Sequence, residues 1–270
     1  MAKSNGYIIY EGPSLLDAEP IVVIATGFDS GSSNRKTGDM IQTYILRAHL
    51  PPTDAAQTGA DYSICGNCPH RGKVVTDKPG RGRKPKPKNV GRTCYVNLGQ
   101  GPLAVYRAYW RGAYPRWDGT GVSGRMVRLG TYGDPAVVPI SVWDALLLDA
   151  DGHTGYTHQW HTTIGQAYRK YCMASVDSPA EAEIARAKGW RTFRVGMPSH
   201  PGREAKVEAL CPASAEAGKK LTCAQCMACN GAGVPGEGET RRASIFIPAH
   251  GGFAVMANIR KRDERERAAV

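Results

Sequence analysis

The fold class is predicted from Tyr171-Cys-Met-Ala-Ser-Val176 and from the residues that follow it through Thr192-Phe-Arg-Val-Gly196. Both segments are short, apolar and rich in residue types that favour strands. Between them, Ser178 suits the N-cap of a helix, Pro179 its first position and Gly189 the position after its end. A strand, a helix and a strand of these lengths predict parallel strands joined by a right-handed crossover.

The same alternation extends in both directions from this unit. Strands are predicted at 7–10, 21–26, 40–46, 125–132, 155–160 and 243–248, and helices at 103–111 and 140–148, with a charged tail at 260–267 that reads as a frayed helix. We therefore predict one α/β domain over residues 1–270, built as a complete or partial (β/α) barrel with cysteine-rich metal-binding loops. A doubly wound sheet is the alternative.

The chain carries a formal net charge of +11, much of it in the Pro- and Gly-rich stretch from Arg71 to Arg92. Such a charge suits nucleic acid or a phosphorylated substrate as partner. The stretch itself predicts an extended, solvated loop that serves either as a phosphate-binding arm or only to keep the chain in solution. No apolar run is long enough for a membrane span or a signal peptide, so we expect no membrane partner and a cytoplasmic location with reduced cysteines.

The loop predicted over residues 209–240 contains Cys211-Pro212 and then Cys223-Ala-Gln-Cys226-Met-Ala-Cys229. A C-x2-C-x2-C run with a remote Cys-Pro is typical of an iron-sulfur cube, although here the remote cysteine precedes the run. Structural zinc more often uses two separated C-x2-C pairs. Iron-sulfur is therefore favoured, with zinc and a disulfide cluster as alternatives.

A second cysteine-bearing region, residues 60–94, contains Cys65-Gly-Asn-Cys68 and, after the basic stretch, Cys94-Tyr95. Three thiolates on an iron-sulfur cube leave one iron open, which suits a reactive centre. The alternative is a zinc or iron-sulfur staple that takes His70 or Cys172 as its fourth ligand.

Several segments carry a family resemblance over residues 37–230. They are Cys94-Tyr95, Arg128-Leu-Gly-Thr-Tyr-Gly-Asp134 followed by Trp143, Tyr156-Thr157-His158, and the Cys-Pro with its C-x2-C-x2-C run. On these segments the chain resembles a family of uncharacterised cysteine-rich bacteriophage proteins that are distantly like radical S-adenosylmethionine enzymes. The resemblance implies a barrel-like fold and a phage origin, with a location in the host cytoplasm, but no known reaction. The two cysteine regions predict one or two 4Fe-4S clusters, and an open iron in the first would make S-adenosylmethionine the candidate organic cofactor. The chain departs from those enzymes in lacking the usual C-x3-C-x2-C spacing and a Gly-Gly-Glu segment.

Polar residues at predicted strand ends are candidates for binding a cofactor. Asp134 could accept a hydrogen bond from a ribose or an amine, or could cap the helix after it. Tyr156 and His158 alternate on one strand face. Ser175 and Arg194 complete the set. The leading hypothesis is a radical S-adenosylmethionine-type enzyme acting on nucleic acid or a nucleotide, and the second is a non-catalytic, metal-stapled nucleic-acid-binding protein.

Overall fold

The structure, a computed structural model, describes residues 4–31, 34–76, 85–197, 202–232, 242–250 and 252–268. Within these ranges the helices are α1 Pro52–Thr58, α2 Tyr62–Cys65, α3 Gly101–Trp110, α4 Ile140–Leu147, α5 Thr163–Gln166, α6 Pro179–Ala187, α7 Cys223–Cys226 and α8 Phe253–Ala268. The strands are β1 Gly6–Pro13, β2 Pro20–Thr26, β3 Met40–Arg47, β4 Lys73–Thr76, β5 Pro87–Val90, β6 Met126–Tyr132, β7 Gly152–Thr154, β8 Tyr156–Thr157, β9 Met173–Val176, β10 Thr192–Gly196, β11 Glu208–Leu210 and β12 Ser244–Pro248.

The first five-stranded sheet has the order β1-β2-β3-β6-β7 and changes direction part of the way across. β1, β2 and β3 pair antiparallel, whereas β3 with β6 and β6 with β7 pair parallel. Residues Ile21 to Ala25 of β2 are at most 1% exposed on both faces. A strand that is buried on both faces reads as a continuous apolar run, which is why this segment was recognisable from sequence.

The second five-stranded sheet, β11-β12-β10-β9-β8, is parallel throughout. It contains the unit from which the fold class was predicted. β10 has the predicted bounds, and α6 begins after Ser178, whose hydroxyl accepts a hydrogen bond from the Glu181 amide. The expected mixed α/β class with parallel strands is confirmed.

The two sheets meet at Gly155, where β7 and β8 are separated by that single residue. β7 pairs with β6 of the first sheet, and β8 pairs with β9 of the second. The Gly155 carbonyl accepts from the Met173 amide (2.9 Å), and its own amide donates to the Cys229 carbonyl (3.0 Å). A Cβ at this position would lie 2.7 Å from the Tyr171 carbonyl oxygen, so the junction requires glycine.

The predicted strand over 155–160 was wrong in its second half. The chain leaves the strand after Thr157 and forms a 3₁₀ turn at Gln159–His161. The Thr157 hydroxyl and the His158 amide both bind the Asp134 carboxylate, at 2.7 and 2.8 Å. These local hydrogen bonds replace the strand ladder.

The two regions predicted as cysteine-bearing loops contain regular structure. Residues 60–94 include α2, a 3₁₀ turn at Pro69–Arg71 and the exposed hairpin of β4 and β5. Residues 209–240 include the end of β11 and all of α7. The charged tail predicted as a helix at 260–267 lies within α8. Residues 77–84 of the basic stretch and residues 233–240 of the second loop lie outside the described residues. No helix within the described residues is both long enough and apolar enough to cross a membrane.

Candidate metal centres in a shared cavity

A cavity of about 370 Å³ is lined by seven of the eight cysteines. They are Cys65, Cys68, Cys94, Cys211, Cys223, Cys226 and Cys229. The eighth, Cys172, is fully buried in the main hydrophobic core and does not line the cavity, so it is not placed to be a ligand. No disulfide joins any of the eight, all of which the structure describes. The volume falls within the range of sites that bind small molecules.

The cavity walls are built from alternate residues of the parallel strands. Arg128, Gly130 and Tyr132 of β6 face the cavity, as do Phe193 and Val195 of β10. Side chains alternate between the faces of a strand, so every second residue shares the wall. Thr154, Tyr156, His158 and Ser175 complete the same wall. Asp134 also lines the cavity, so four of the five predicted cofactor-binding residues face it: Asp134, Tyr156, His158 and Ser175.

The fifth predicted cofactor-binding residue, Arg194, lies on the other face of β10. Its guanidinium is fully buried and forms an ion pair with Glu208, with Nε and Nη2 each 2.7 Å from a carboxylate oxygen. It also stacks over the Phe246 ring at 4.6 Å. The prediction that Arg194 helps to hold a cofactor in the cavity was wrong. Its neighbours Phe193 and Val195 face the cavity, so the Arg194 side chain points to the opposite face of the strand.

The first cysteine group consists of Cys65, Cys68 and Cys94. Cys65 ends α2, and the carbonyl of Ile64 before it accepts a hydrogen bond from the Asp134 amide at 2.7 Å. The Cys94 amide donates to the His70 carbonyl at 3.0 Å, which brings the residue after the hairpin back to the C-x2-C pair. The cysteines that are distant in sequence are thus brought together by backbone hydrogen bonds.

Burial raises the pKa of Cys65 and Cys68 well above the usual thiol range, and the neighbouring thiols raise it further. The carboxylates of Asp61, near Cys65, and of Asp177, near Cys68, act in the same direction. These side chains are therefore neutral thiols at pH 7 unless a bound cation stabilises the thiolate form.

The second cysteine group consists of Cys211, Cys223, Cys226 and Cys229. The Thr222 hydroxyl caps α7, and the Cys223 amide donates to the Lys36 carbonyl at 2.9 Å. The Cys211 amide donates to the Phe246 carbonyl of β12 at 2.8 Å. This loop is fixed by the sheet on one side and by the turn before β3 on the other.

Burial raises the pKa of Cys229 to about 12, and a hydrogen bond with Tyr156 opposes that rise. Burial also raises the pKa of Cys223, but here the nearby charges of Arg128 and Lys36 lower it. The second group therefore has cations beside it that favour thiolates.

Arg128 faces this group and lacks a counter-charge among the described residues. Its only hydrogen bond there is to the Tyr95 hydroxyl at 3.0 Å, and its Nε has no partner. On the neighbouring strand Thr154, its register partner, is 2% exposed and has a hydroxyl without a partner. Buried polar atoms are rarely left unpaired, so this part of the wall fits an anionic occupant.

The separation of the sulfur atoms bears on which metal centre would fit. No three cysteine sulfurs of the described chain lie within 4.8 Å of one another. Four thiolates at the usual zinc bond length would be about 3.8 Å apart. The cysteine sulfurs of the described residues therefore do not form a preassembled tetrahedral zinc cage.

A third group of potential ligands, His70, His158 and Asp177, lies beside the first cysteine group. One donor atom from each lies within 4.8 Å of the other two. His70 Nε2 is 3.1 Å from Asp177 Oδ1, and His158 Nε2 is 3.9 Å from Cys68 Sγ. His70 was considered from sequence as a fourth ligand for the first cysteine group, and the structure instead directs its Nε2 to Asp177.

Asp134 caps the 3₁₀ turn at Pro135–Val137, accepting from the Ala136 amide at 3.0 Å. The capping alternative raised from sequence is therefore observed, and the same residue also lines the cavity. Burial raises the pKa of this carboxyl to about 6, although hydrogen bonds from the Thr157 hydroxyl and from the Ala136 and His158 amides lower it. The side chain already accepts from Thr157 and His158, so its main role visible in the structure is to hold the β8 end in place.

Sequence reasoning missed Thr154, Tyr132 and the lining role of Lys36. Thr154 falls in a three-residue strand, too short to give a periodic pattern. Lys36 lies in the turn-rich segment between β2 and β3, which gives no periodic pattern. Comparisons of the chain with protein-family models, with curated proteins and with solved structures found no match.

Proposed function

We propose that this chain is an iron-sulfur protein in which Cys65, Cys68 and Cys94 hold one centre and the four cysteines of the second group hold another. The observation that carries the proposal is that all seven thiols face one cavity of small-molecule size. Arg128, which lies beside the second group without a counter-charge among the described residues, supports it. Zinc remains the alternative metal.

The reaction class that this arrangement favours is radical S-adenosylmethionine chemistry. Three thiolates in the first group leave a coordination position open, and a cluster bound there would supply an electron for reductive cleavage of S-adenosylmethionine. Residues of this chain would shape the cofactor pocket: Asp134 fixes the end of β8, and Tyr156 and Ser175 line the wall. The strand order β3-β6-β7, continued by β8-β9-β10-β12, supports a partial (β/α) barrel as the scaffold. The proposal includes a cytoplasmic location, which keeps thiols reduced, and kinship with the cysteine-rich phage proteins.

The first test is anaerobic purification followed by measurement of iron, acid-labile sulfide and zinc per chain. Roughly eight irons with matching sulfide would support two cubes. Zinc without sulfide would contradict the iron-sulfur assignment. The enzymatic part is tested by adding dithionite and S-adenosylmethionine and measuring 5′-deoxyadenosine. We expect cleavage by the wild type, none by Cys94→Ala, and wild-type rates for Cys172→Ala, which removes a thiol outside the cavity. Fully loaded protein that cleaves nothing would rule out this reaction.

A second candidate function, nucleic-acid binding, is favoured by the hairpin of β4 and β5. All four residues of β4 are exposed, and Lys73, Lys86 and Lys88 present their charges to solvent. Lys78, Arg81, Arg83 and Lys84 of the same stretch lie outside the described residues.

Deletion of Lys78 to Lys88 tests this function. Affinity for single- or double-stranded DNA should fall steeply with salt because bound counterions are released. The deletion should remove most of that affinity while the metal content stays unchanged. Replacing Lys219 and Lys220, exposed lysines elsewhere, by Gln is the matched control. Affinity that survives the deletion would assign binding to another surface.

A further inference from the structure

We propose that His70, His158 and Asp177 form a mononuclear site for a divalent transition-metal ion, separate from both cysteine groups. Two imidazoles and one carboxylate are the donor set of catalytic zinc sites and of ferrous sites with open positions. The proposal does not rest on the iron-sulfur assignment, because none of the three residues is a cysteine ligand.

The donor spacing fits one ion. Two atoms that each lie about 2.1 Å from a metal are at most about 4.2 Å apart, and adjacent ligands are about 3.0–3.4 Å apart. The three donors lie within 4.8 Å of one another, and His70 Nε2 and Asp177 Oδ1 are 3.1 Å apart. The His70 and His158 rings meet edge to face with centroids 5.7 Å apart, as two imidazoles on one ion would. Only small side-chain shifts are needed.

The three ligands come from different parts of the chain and are each held in place. His70 lies in the 3₁₀ turn after Cys68, His158 follows β8, and Asp177 follows β9. The carboxyl ends of parallel strands are where α/β folds place their ligands. The Asp177 amide donates to Glu181 Oε2 at 2.8 Å, and the His158 amide is held by Asp134. The site is therefore built from rigid elements.

The surroundings of the site resemble the outer shell of a metal centre. His70 Nδ1 lies 2.7 Å from the Thr93 hydroxyl. When Nδ1–H donates to that oxygen, Nε2 is left with a lone pair that faces the carboxylate, and a cation between the two atoms makes the arrangement favourable. Asp177 is 3% exposed, and its other oxygen, Oδ2, is 3.2 Å from Arg262 of α8. Arg262 thus orients the carboxylate and leaves Oδ1 toward the histidines.

The ion would have coordination positions open to the cavity, since both histidines line it. Cys68 is the nearest thiol, but its sulfur does not lie within 4.8 Å of all three donors. The ion is therefore held by nitrogen and oxygen and not by sulfur. A ligand with an oxygen or nitrogen donor could enter from the cavity side.

Cobalt(II) is the probe, because its absorption reports the ligand type. Co²⁺ is added to the full-length, chelator-treated chain under reducing conditions, and bound cobalt is counted by equilibrium dialysis. We expect both Asp177→Asn and His158→Gln to lower bound cobalt by about one ion per chain relative to wild type. The lost ion should contribute ligand-field bands without sulfur-to-cobalt charge transfer. His153→Gln, which changes a histidine outside the cavity, should bind as much as the wild type.

Two further variants separate a metal site from an ion-pair network. Arg262→Ala removes the ion pair to Asp177, and the metal-site proposal predicts that the cobalt ion is retained with no more than weaker affinity. Cys94→Ala should lose only the charge-transfer bands of the first cysteine group and keep the sulfur-free ion. Wild-type cobalt binding by folded Asp177→Asn and His158→Gln, or binding that disappears with the cysteines alone, would overturn the proposal. Thermal melts of each variant establish that it is folded.

Discussion

The two cysteine groups face the same cavity but lie in opposite electrostatic surroundings. Acidic side chains surround the first group, where Asp61, Asp134 and Asp177 raise the pKa values of its thiols. Basic side chains lie beside the second, where Lys36 lowers the pKa values of Cys211 and Cys223. The proposed four-thiolate centre of the second group would therefore have cations beside it, whereas thiolates of the first group would need the charge of a bound cation.

The two groups also have one structural feature in common. Each loop is held by an arginine that donates to several of its backbone carbonyls. Arg71 binds the carbonyls of Gly59 and Gly66 and the Asp61 carboxylate beside the first group. Arg191 binds the carbonyls of Ala228, Gly231 and Ala243 beside the second. Because each arginine holds the loop of one cysteine group, replacing that arginine should disturb one group and leave the other intact.

The largest effect expected is the loss of one complete centre on removal of one ligand. Cys226→Ala should lose the metal of the second group and keep that of the first, and Cys94→Ala should do the reverse. A missing thiolate leaves an iron or zinc ion without its required coordination. Metal analysis and the visible spectrum of each anaerobically purified variant measure the effect, with Cys172→Ala as control. Loss of both centres in either variant would show that they are one unit.

Replacing the two loop-holding arginines should give the next largest effect. Arg191→Ala removes hydrogen bonds from a largely buried charged donor to three backbone carbonyls and should lower the free energy of unfolding by about 3 kcal/mol. Arg71→Ala should act similarly, since it also breaks the pair with Asp61. Urea unfolding measures the loss. Only the neighbouring cysteine group should lose metal in each variant, and equal loss at both groups in Arg71→Ala would contradict the separation.

The C-x2-C and C-x2-C-x2-C spacings are local properties of the sequence, so they singled out five of the seven cysteines that line the cavity. The grouping of these cysteines around metal centres stays a prediction. That both groups open into one cavity could not be predicted, since it depends on Gly155 joining two sheets. The orientation of Arg194 was also inaccessible, because its partner Glu208 lies beyond a loop whose path the sequence does not determine.

Replacing Arg128 should change the charge beside the second cysteine group alone. Arg128→Gln removes the cation beside Cys223 and Cys229 and leaves the first group untouched. We expect the second centre to be stripped at roughly tenfold lower chelator concentration, a change of about 1.4 kcal/mol. Its reduction potential should become more negative, because the reduced, more negative form loses a favourable charge. Arg125→Gln, which changes the arginine at the start of β6 that pairs with Asp39, is the control. A change at the first centre instead would contradict the assignment of Arg128 to the second.

The smallest expected effect is a pH dependence of the free energy of unfolding that arises from a buried histidine outside the cavity. His153 lies beside Thr154 in β7 but does not line the cavity, and its Nε2 lies 3.0 Å from the Tyr171 carbonyl oxygen. Burial lowers its pKa to about 4, against about 6.5 in the unfolded chain. The unfolded state therefore binds more protons between these values, so stability is lost as the pH falls. From about pH 7 to pH 5.5 the loss should be about 1 kcal/mol.

His153→Gln can keep the hydrogen bond to Tyr171 and removes the titration, so its unfolding free energy should fall less over the same range. Urea unfolding of wild type and variant at the two pH values, both free of metal, measures the difference. If wild type and variant lose the same free energy of unfolding between the two pH values, the loss arises from groups other than His153, such as the carboxylates and histidines beside the first cysteine group. The two cysteine groups would then differ in their response to pH as well as in their surrounding charge.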